Sequence, residues 1–341
     1  MSFFSSILAF SCLPCAAFLC AAIVRCMIRL AVMDHPDHRS AHTIPTPKGG
    51  GIGIMVAFGL FFPVLQGMTG QSVLSFPCLM AAGALVLLCG VSWLDDLYQW
   101  HPILKFAAQT IAACLIVAGG VHLNWPTPLA GAVLSVLWLI FVCNAVNFMD
   151  GLNGLITGCM ACAALCVALV APFFGVLALQ WPALLLCACL MGFLPFNFPH
   201  ARIFLGDVGS QGCGLLAGTA TLYIASHTTL PHGWVLGPAL LFPLLYDVLF
   251  TLIRRLYMRQ TLVQAHRGHL YQIIYRSAVA VPAVSLLEWG MTLWGGAVAY
   301  LVAPTAGVWS GMAGATLLVL PQLTWTLFGV LRARQHAIGR W

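Results

Sequence analysis

Eleven long apolar runs, separated by short polar connections, constrain this chain more than any other feature. They fall at about 3–24, 50–66, 73–94, 103–121, 129–146, 155–174, 180–197, 211–227, 233–252, 279–301 and 307–330. A helix that crosses a bilayer needs about 20 mostly apolar residues, and most of these runs are close to that length. Only 6% of the 341 residues are charged, against about a quarter in a soluble domain. The expectation is an all-α, polytopic integral membrane protein with about eleven transmembrane helices. The first run has no basic segment before it, so it reads as a membrane helix rather than a cleaved leader. No internal repeat or low-complexity linker divides the chain, so 1–341 reads as one domain.

The charges give sidedness. When the connections are assigned alternately to two sides, one set contains no Lys, Arg, Asp or Glu. All 14 basic residues lie on the other side or at the helix ends facing it, among them Arg25, Arg29, Arg39, Lys48, Lys105, Arg202, Arg254, Arg255, Arg259, Arg267 and Arg332. Basic connections stay cytoplasmic, which puts the N-terminus outside and the C-terminus in the cytoplasm. The net charge of +6 therefore reports topology, and no basic domain or arm points to nucleic acid. Seven of the eight acids, Asp34, Asp37, Asp95, Asp96, Asp150, Asp207 and Asp247, fall on or near the cytoplasmic side. A cytoplasmic-face active site built from loops 33–50, 95–102, 144–154, 198–210 and 253–277 follows. Glu288 lies within the tenth run, where an acid is a functional candidate by default, but it has no evident partner.

Several segments carry chemistry. Asp95 and Asp96 close the third run in WLDDLYQW. Adjacent carboxylates repel unless a cation joins them, and Mg²⁺ prefers carboxylates together with substrate phosphates. NAVNFMDGLNGL supplies Asn144, Asn147, Asp150 and Asn153 between two apolar runs. Their amides can donate and accept, which suits a nucleobase or a ribose. RIFLGDVGSQGCG sets Asp207 between Gly206 and Gly209, with Ser210 opening a helix. Amides at a helix start favour phosphate, and the adjacent carboxylate suggests a bridging metal. The spacing is not that of a Walker loop. AHRGHLYQ brings His266, Arg267 and His269 together, donors suited to a diphosphate. Lys48, beside a glycine run, is a phosphate partner. Lys105 either snorkels to the interface or holds a lipid phosphate. The CxxC pairs Cys12/Cys15 and Cys159/Cys162 sit in apolar helical stretches and read as packing residues.

In this arrangement the chain resembles the polyprenyl-phosphate N-acetylhexosamine-1-phosphate transferases. The resemblance covers about 34–272 and rests on seven motifs in family order: PTPKGGG, LDD, KFAAQ, NAVNFMDGLNGL, IFLGDVGS, PLLYD…RR and HRGHLYQ. The HRGHLYQ form looks like the subgroup that primes O-antigen or related surface polysaccharides. Many relatives carry a second acid where this chain has Asn153. The resemblance implies transfer of a sugar-1-phosphate from a UDP-N-acetylhexosamine to undecaprenyl phosphate at the bacterial inner membrane, releasing UMP. It implies Mg²⁺, with Mn²⁺ as an alternative, and allows a homodimer. Asp207 would hold the metal, and Asp95 and Asp96 would aid the metal or the lipid phosphate. Asp150, Asn144 and Asn147 would shape the nucleotide pocket, while His266, Arg267 and His269 would grip the sugar diphosphate. Lys48 and Lys105 would attract the lipid phosphate. A transporter or flippase for a nucleotide-sugar or lipid-linked sugar is the alternative, although it would place polar groups near the midplane. An intramembrane metalloprotease would need paired zinc ligands at helical spacing, which are absent.

Overall fold

Each apolar run becomes a helix. The computed structural model describes residues 3–34, 44–261 and 267–338. Among these residues the order is α1 (Phe3–Leu30), a two-stranded hairpin β1 (Met33–Asp34) and β2 (Thr46–Pro47), α2 (Gly51–Met68), α3 (Phe76–Tyr98), α4 (Pro102–Ala118), α5 (Pro128–Met149), α6 (Leu155–Val170), α7 (Gln180–Asn197), α8 (Gly206–His227), α9 (Leu236–Tyr257), α10 (Leu270–Arg276), α11 (Val281–Val302) and α12 (Val308–Gln335). The fold is all-α apart from that hairpin. α1 and α12 run past their apolar windows, because nothing in the flanking residues, which include Arg25, Arg29, Arg332 and Arg334, breaks a helix. α10 has no counterpart among the apolar runs, since its seven residues are too few to give a span signal.

Among the described residues seven helical segments are long and apolar enough to cross a membrane: Ile7–Leu30, Gly51–Met68, Phe76–Tyr98, Pro128–Met149, Leu177–Asn197, Gly233–Tyr257 and Val308–Gln335. α4 and α6 are apolar but shorter, at 17 and 16 residues. Large apolar side chains such as Phe18, Val86, Leu129, Leu169 and Leu301 face outward, which suits a hydrocarbon solvent rather than water.

α8 departs from the apolar rule for a packing reason. It lies against α2, α3, α5 and α9, so most of its surface meets protein, and small residues let those neighbours come close. A Cβ on Gly214 would sit 2.8 Å from Cys143 Cα in α5. The start of α8 is drawn just as tightly to the start of α2, where a Cβ on Gly51 would lie 2.2 Å from both Cα and N of Gly209.

Backbone bonds fix that contact. Gly50 and Gly51 N–H donate to Phe204 O and Leu205 O at 2.9 and 2.8 Å, and Phe204 N–H donates to Pro47 O at 2.8 Å. β1 and β2 pair antiparallel, Met33 with Pro47 and Asp34 with Thr46. The glycine-rich loop before α2 is thus laced to the segment before α8, and this seats Lys48.

Because backbone rather than a flexible side chain opposes a Cβ at position 51, Gly51→Ala should cost about 1–3 kcal/mol through overpacking. We expect a lower melting temperature for the detergent-solubilised protein. An unchanged melting temperature would show that the two helix starts are not in contact.

Candidate active site

Asp95 and Asp96 occupy the last turn of α3. Consecutive helical residues point about 100° apart, so the two carboxylates serve different partners. The helix ends at Gln99, whose left-handed φ of 50° turns the chain while its N–H bonds to Asp95 O at 2.8 Å. Only a few residues separate α3 from α4, and the reversal brings Lys105 to Asp95, Nζ to Oδ2 at 2.6 Å. The same ammonium also bonds Asp207 Oδ2. Asp96 faces the other way. Its Oδ1 pairs with Lys48 Nζ at 3.1 Å, and its Oδ2 accepts the Asp207 N–H at 3.2 Å.

Asp207 lies inside the first turn of α8, which begins four residues before Ser210, where the sequence had suggested a helix start. Gly206 just before it has φ +73°, and a Cβ there would press on Gly49 N at 3.1 Å and Asp96 Oδ2 at 3.2 Å. Asn147 of α5 donates through Nδ2 to Asp207 Oδ1 and to Ser210 Oγ, both at 2.9 Å. The carboxylate is thereby held on both oxygens. About a quarter of the Asp207 and Lys105 side chains stays accessible, 25% and 23%, so a substrate can reach this pair.

Asp150 follows directly on α5. Burial, and after it the charges of Asp207 and Asp96, push its carboxyl up to about 8. With Asp95, Asp96 and Asp207 it makes four acids against Lys48 and Lys105. Fully ionised, the centre would carry two uncompensated negative charges. It therefore favours a proton or an additional cation. Among the described residues no three Asp, Glu, His or Cys side chains close on a single point. A divalent ion here would take one or two of these carboxylates and complete its shell from phosphate oxygens, which is how Mg²⁺ is ordinarily bound.

One helical turn deeper lies a layer of amides. Gln109 Nε2 donates to Gln211 Oε1 at 2.9 Å, and Asn144 Nδ2 donates to Gln109 Oε1 at 2.9 Å and to Ile140 O at 2.9 Å. Asn144, expected at the nucleotide, is spent on this helix interface. Asn147 is spent on orienting Asp207. Asn153 Nδ2 bonds Pro199 O at 3.3 Å, and its own carbonyl accepts the Ser285 hydroxyl at 2.9 Å, which ties 151–155 to neighbouring segments.

The segment before α10 is anchored by Asp247. His269 Nδ1 lies 2.9 Å from Asp247 Oδ1. Tyr271 donates its hydroxyl to Phe148 O at 3.1 Å, and Gly151 leaves room for it, since a Cβ there would be 2.2 Å from that oxygen. Arg267 accepts at its carbonyl from Arg276 Nη1 at 3.3 Å. His266 and Asp37 lie outside the described residues, and Asp34 is placed on β1, paired with Thr46 of β2. Glu288 is buried and accepts the Trp325 indole N–H at 3.1 Å, joining α11 to α12. All 14 cysteines are free, and Cys12 and Cys159 sit in the apolar core. Residue types alone did not expose Gln109 or Gln211, and they gave Asp247 no role of its own. For Asp247 the available signal was an acid set deep in an apolar helix.

A helical membrane bundle with lysines threaded among carboxylates at one end defines a class: integral membrane proteins that handle phosphorylated substrates. The sequence profile of glycosyl transferase family 4 matches residues 77–225, a stretch that carries Asp95, Asp96, Lys105, Asn147, Asp150 and Asp207. The chain is 29% identical to the decaprenyl-phosphate N-acetylglucosaminephosphotransferase of Mycobacterium leprae, covering 90% of this chain and 86% of that protein. It is 26% identical to the probable undecaprenyl-phosphate N-acetylglucosaminyl 1-phosphate transferase of Bacillus subtilis, over 73% and 71% of the two chains. It is 32% identical to a phospho-N-acetylmuramoyl-pentapeptide-transferase of Limosilactobacillus fermentum, over 48% and 51%. Over residues 77–225 the chain is thus similar to glycosyl transferase family 4, and over most of its length to sugar-phosphate transferases.

The raised Asp150 carboxyl carries a stability consequence. An unfolded Asp ionises near 4 and the folded one near 8. Its contribution is therefore complete below about pH 4 and is lost as pH rises to about 8. Asp150→Asn removes that loss. We expect the melting temperature of the ligand-free variant to gain on wild type more at pH 8 than at pH 5. Equal gains at both pH values would contradict the assignment.

Proposed function

We propose that the protein transfers N-acetylhexosamine-1-phosphate, or a 6-deoxy relative, from a UDP-sugar to undecaprenyl phosphate. UMP is released, and the lipid-linked sugar begins a cell-surface polysaccharide of the O-antigen kind. The supporting observation is the Lys105 ammonium held between Asp95 and Asp207, with Lys48 on Asp96 beside it. Such a centre can neutralise phosphates and align them, which is most of what phosphoryl transfer requires. The names of the relatives supply the substrate class: polyprenyl phosphates and N-acetylglucosamine phosphate.

In this reading the whole chain is one domain with eleven spans in a bacterial inner membrane, with its N-terminus outside and C-terminus in the cytoplasm. The charge-free connections on one side support that orientation. The UDP-sugar enters from the cytoplasm. The lipid phosphate comes from the bilayer, and the reading allows a homodimer.

An oxygen of the lipid phosphate attacks the β-phosphorus of the UDP-sugar, and UMP leaves. A phosphomonoester is already largely ionised at neutral pH, its second pKa being about 6, so the attack needs no strong base. Lys48 and Lys105 draw the lipid phosphate toward the carboxylates. Asn147 keeps the Asp207 carboxylate oriented. His266, Arg267 and His269 grip the sugar diphosphate from the α9–α10 connection. Mg²⁺, or Mn²⁺ in its place, would bind at Asp207, with Asp95, Asp96 and Asp150 in reserve, and would neutralise charge on the diphosphate.

Purified protein with Mg²⁺, undecaprenyl phosphate and a panel of UDP-N-acetylhexosamines should release UMP only when lipid is present. Asp207→Asn should lower that rate about 100-fold or more while eluting as folded protein. Full activity in the variant would remove Asp207 from the chemistry. Uptake of UDP-sugar into vesicles without UMP release would replace the transferase reading with transport.

A further inference from the structure

Asn197 is the last residue of α7 and stands outside the carboxylate–lysine centre, yet it is buried, with 4% of its surface exposed. A buried amide needs partners, and this one spends its two polar atoms on two different stretches of chain. Its Oδ1 accepts the Gly154 N–H at 2.8 Å and the Thr157 hydroxyl at 3.2 Å. Its Nδ2 donates to Ile203 O at 3.1 Å. These partners force the orientation of the amide, because a backbone N–H only donates and a backbone carbonyl only accepts. Gly154 stands four residues after Asp150, and Ile203 stands four residues before Asp207. One side chain therefore ties together two acid-bearing segments that α6 and α7 separate in sequence.

Each tied segment is itself held firmly, so the amide joins two fixed bodies. On the Asp150 side, α11 grips the loop. Ser285 donates its hydroxyl to Asn153 O at 2.9 Å, and Trp289 Nε1 donates to Gly154 O and Leu155 O at 3.1 and 3.2 Å. Gly158 makes room for that indole, since a Cβ there would lie 1.8 Å from Trp289 Cε2. Gly154 has φ +73°, and a Cβ on it would press on the Phe198 ring at 2.6 Å. On the Asp207 side, Phe204 and Leu205 are already bonded to Pro47, Gly50 and Gly51, and the Asp207 N–H rests on Asp96. Asn147 links α5 to the Asp207 carboxylate. Asn197 makes the matching joint between the backbone that follows Asp150 and the backbone that precedes Asp207.

We propose that Asn197 is a positioning residue for the transfer reaction, setting the segment of Asp150 against the segment of Asp207 without touching the reacting phosphates. This rests on the transferase reading for the reaction but not for the joint itself. Few side chains can replace it: an ionised carboxylate has no N–H to give Ile203, and an aliphatic chain can serve neither segment. A residue that merely completed the end of α7 would support folding alike whatever stood at 207. A positioning amide loses most of its purpose when the Asp207 carboxylate is gone.

Two measurements test this. In the first, hydrogen exchange of the protein without substrate is followed by mass spectrometry. In the wild type, the amides of 151–155 and 203–207 should open together as one cooperative unit as denaturant is added. Independent opening of the two stretches would overturn the proposal, and this readout needs no variant to fold. In Asn197→Ala both stretches should exchange about tenfold faster, the weight of one or two hydrogen bonds. Faster exchange confined to 151–155 would reduce Asn197 to a support for the start of α6. In the second, UMP release is followed for Asn197→Ala, Asp207→Asn and the double variant, each below its melting temperature. Asn197→Ala should lower kcat about 10–100-fold, since a misplacement of about 1 Å can cost about 100-fold, while KM for the UDP-sugar changes less than about threefold. In the Asp207→Asn background the same change should lower kcat less than about threefold, the mark of coupled residues. An equal loss in both backgrounds would leave Asn197 a purely structural residue. A wild type that releases no UMP would sink the transferase reading alone, because the exchange result would still decide whether Asn197 joins the two segments.

Discussion

The Lys105 ammonium between Asp95 and Asp207 is the interaction on which the rest of the architecture depends. It joins the ends of α3 and α8 through the start of α4, and Lys48 makes the matching junction to the loop before α2. Apolar surface alone gives helices in hydrocarbon little reason to choose one register over another, since lipid tails are as apolar as Leu. Charges partly removed from water do discriminate, because a misplaced register would strand a carboxylate. The same cost explains why the centre sits at helix ends, where phosphates and water reach it, and not at mid-membrane.

From that constraint follows the composition of α8. A helix that delivers Asp207 to the meeting point of α2, α3, α4 and α5 has little lipid-facing surface. Apolar bulk would push its neighbours away. Glycine and small residues bring them in, and Gln211, one turn below Asp207, bonds Gln109, one turn below Lys105. The polar layer beneath the charged one thus repeats its pairing, α8 to α4, with uncharged groups suited to deeper burial. Buried amides of this kind favour the arrangement that pairs most of them, here all but Gln211 Nε2 among the described residues.

Much of this was legible from residues alone. The apolar runs located the long helices, and one-sided charge gathered Asp95, Asp96, Asp150 and Asp207 before any geometry was known. What stayed hidden was which polar side chain served the site and which served the fold. Asn144, Asn147 and Asn153 look alike in sequence, yet one joins the amide layer, one orients Asp207 and one ties a loop to Pro199. Their fates depend on helix phase and on neighbours distant in sequence, which spacing does not encode. Lys105 was ambiguous for the same reason: snorkelling and ion pairing use the same residue at the same depth, and only the position of α3 and α8 separates them. Asp247 was visible as one of the acids on or near the cytoplasmic side, but its partners, residues 269–271, lie across an intervening connection.

The two halves of the site carry opposite charge, and that asymmetry bears on how a diphosphate would be held. The helix ends supply acids with a deficit of cations, while the α9–α10 connection supplies His and Arg. A diphosphate placed against the acids alone would be repelled, and placed against the connection alone it would lie out of reach of Asp207. It would be bound well only where both meet, with His and Arg offsetting its charge and an added cation offsetting the acids that Lys48 and Lys105 leave unbalanced. Tyr271 makes this meeting a fixed one. Its hydroxyl bonds the Phe148 carbonyl and fills the space that Gly151 leaves open, so the cationic segment is pinned to the end of the helix that carries Asp150. Transfer between two phosphates needs both reactants aligned within a fraction of an ångström. In the proposed reading, a rigid link between the part that would grip one substrate and the part that would receive the other meets that need.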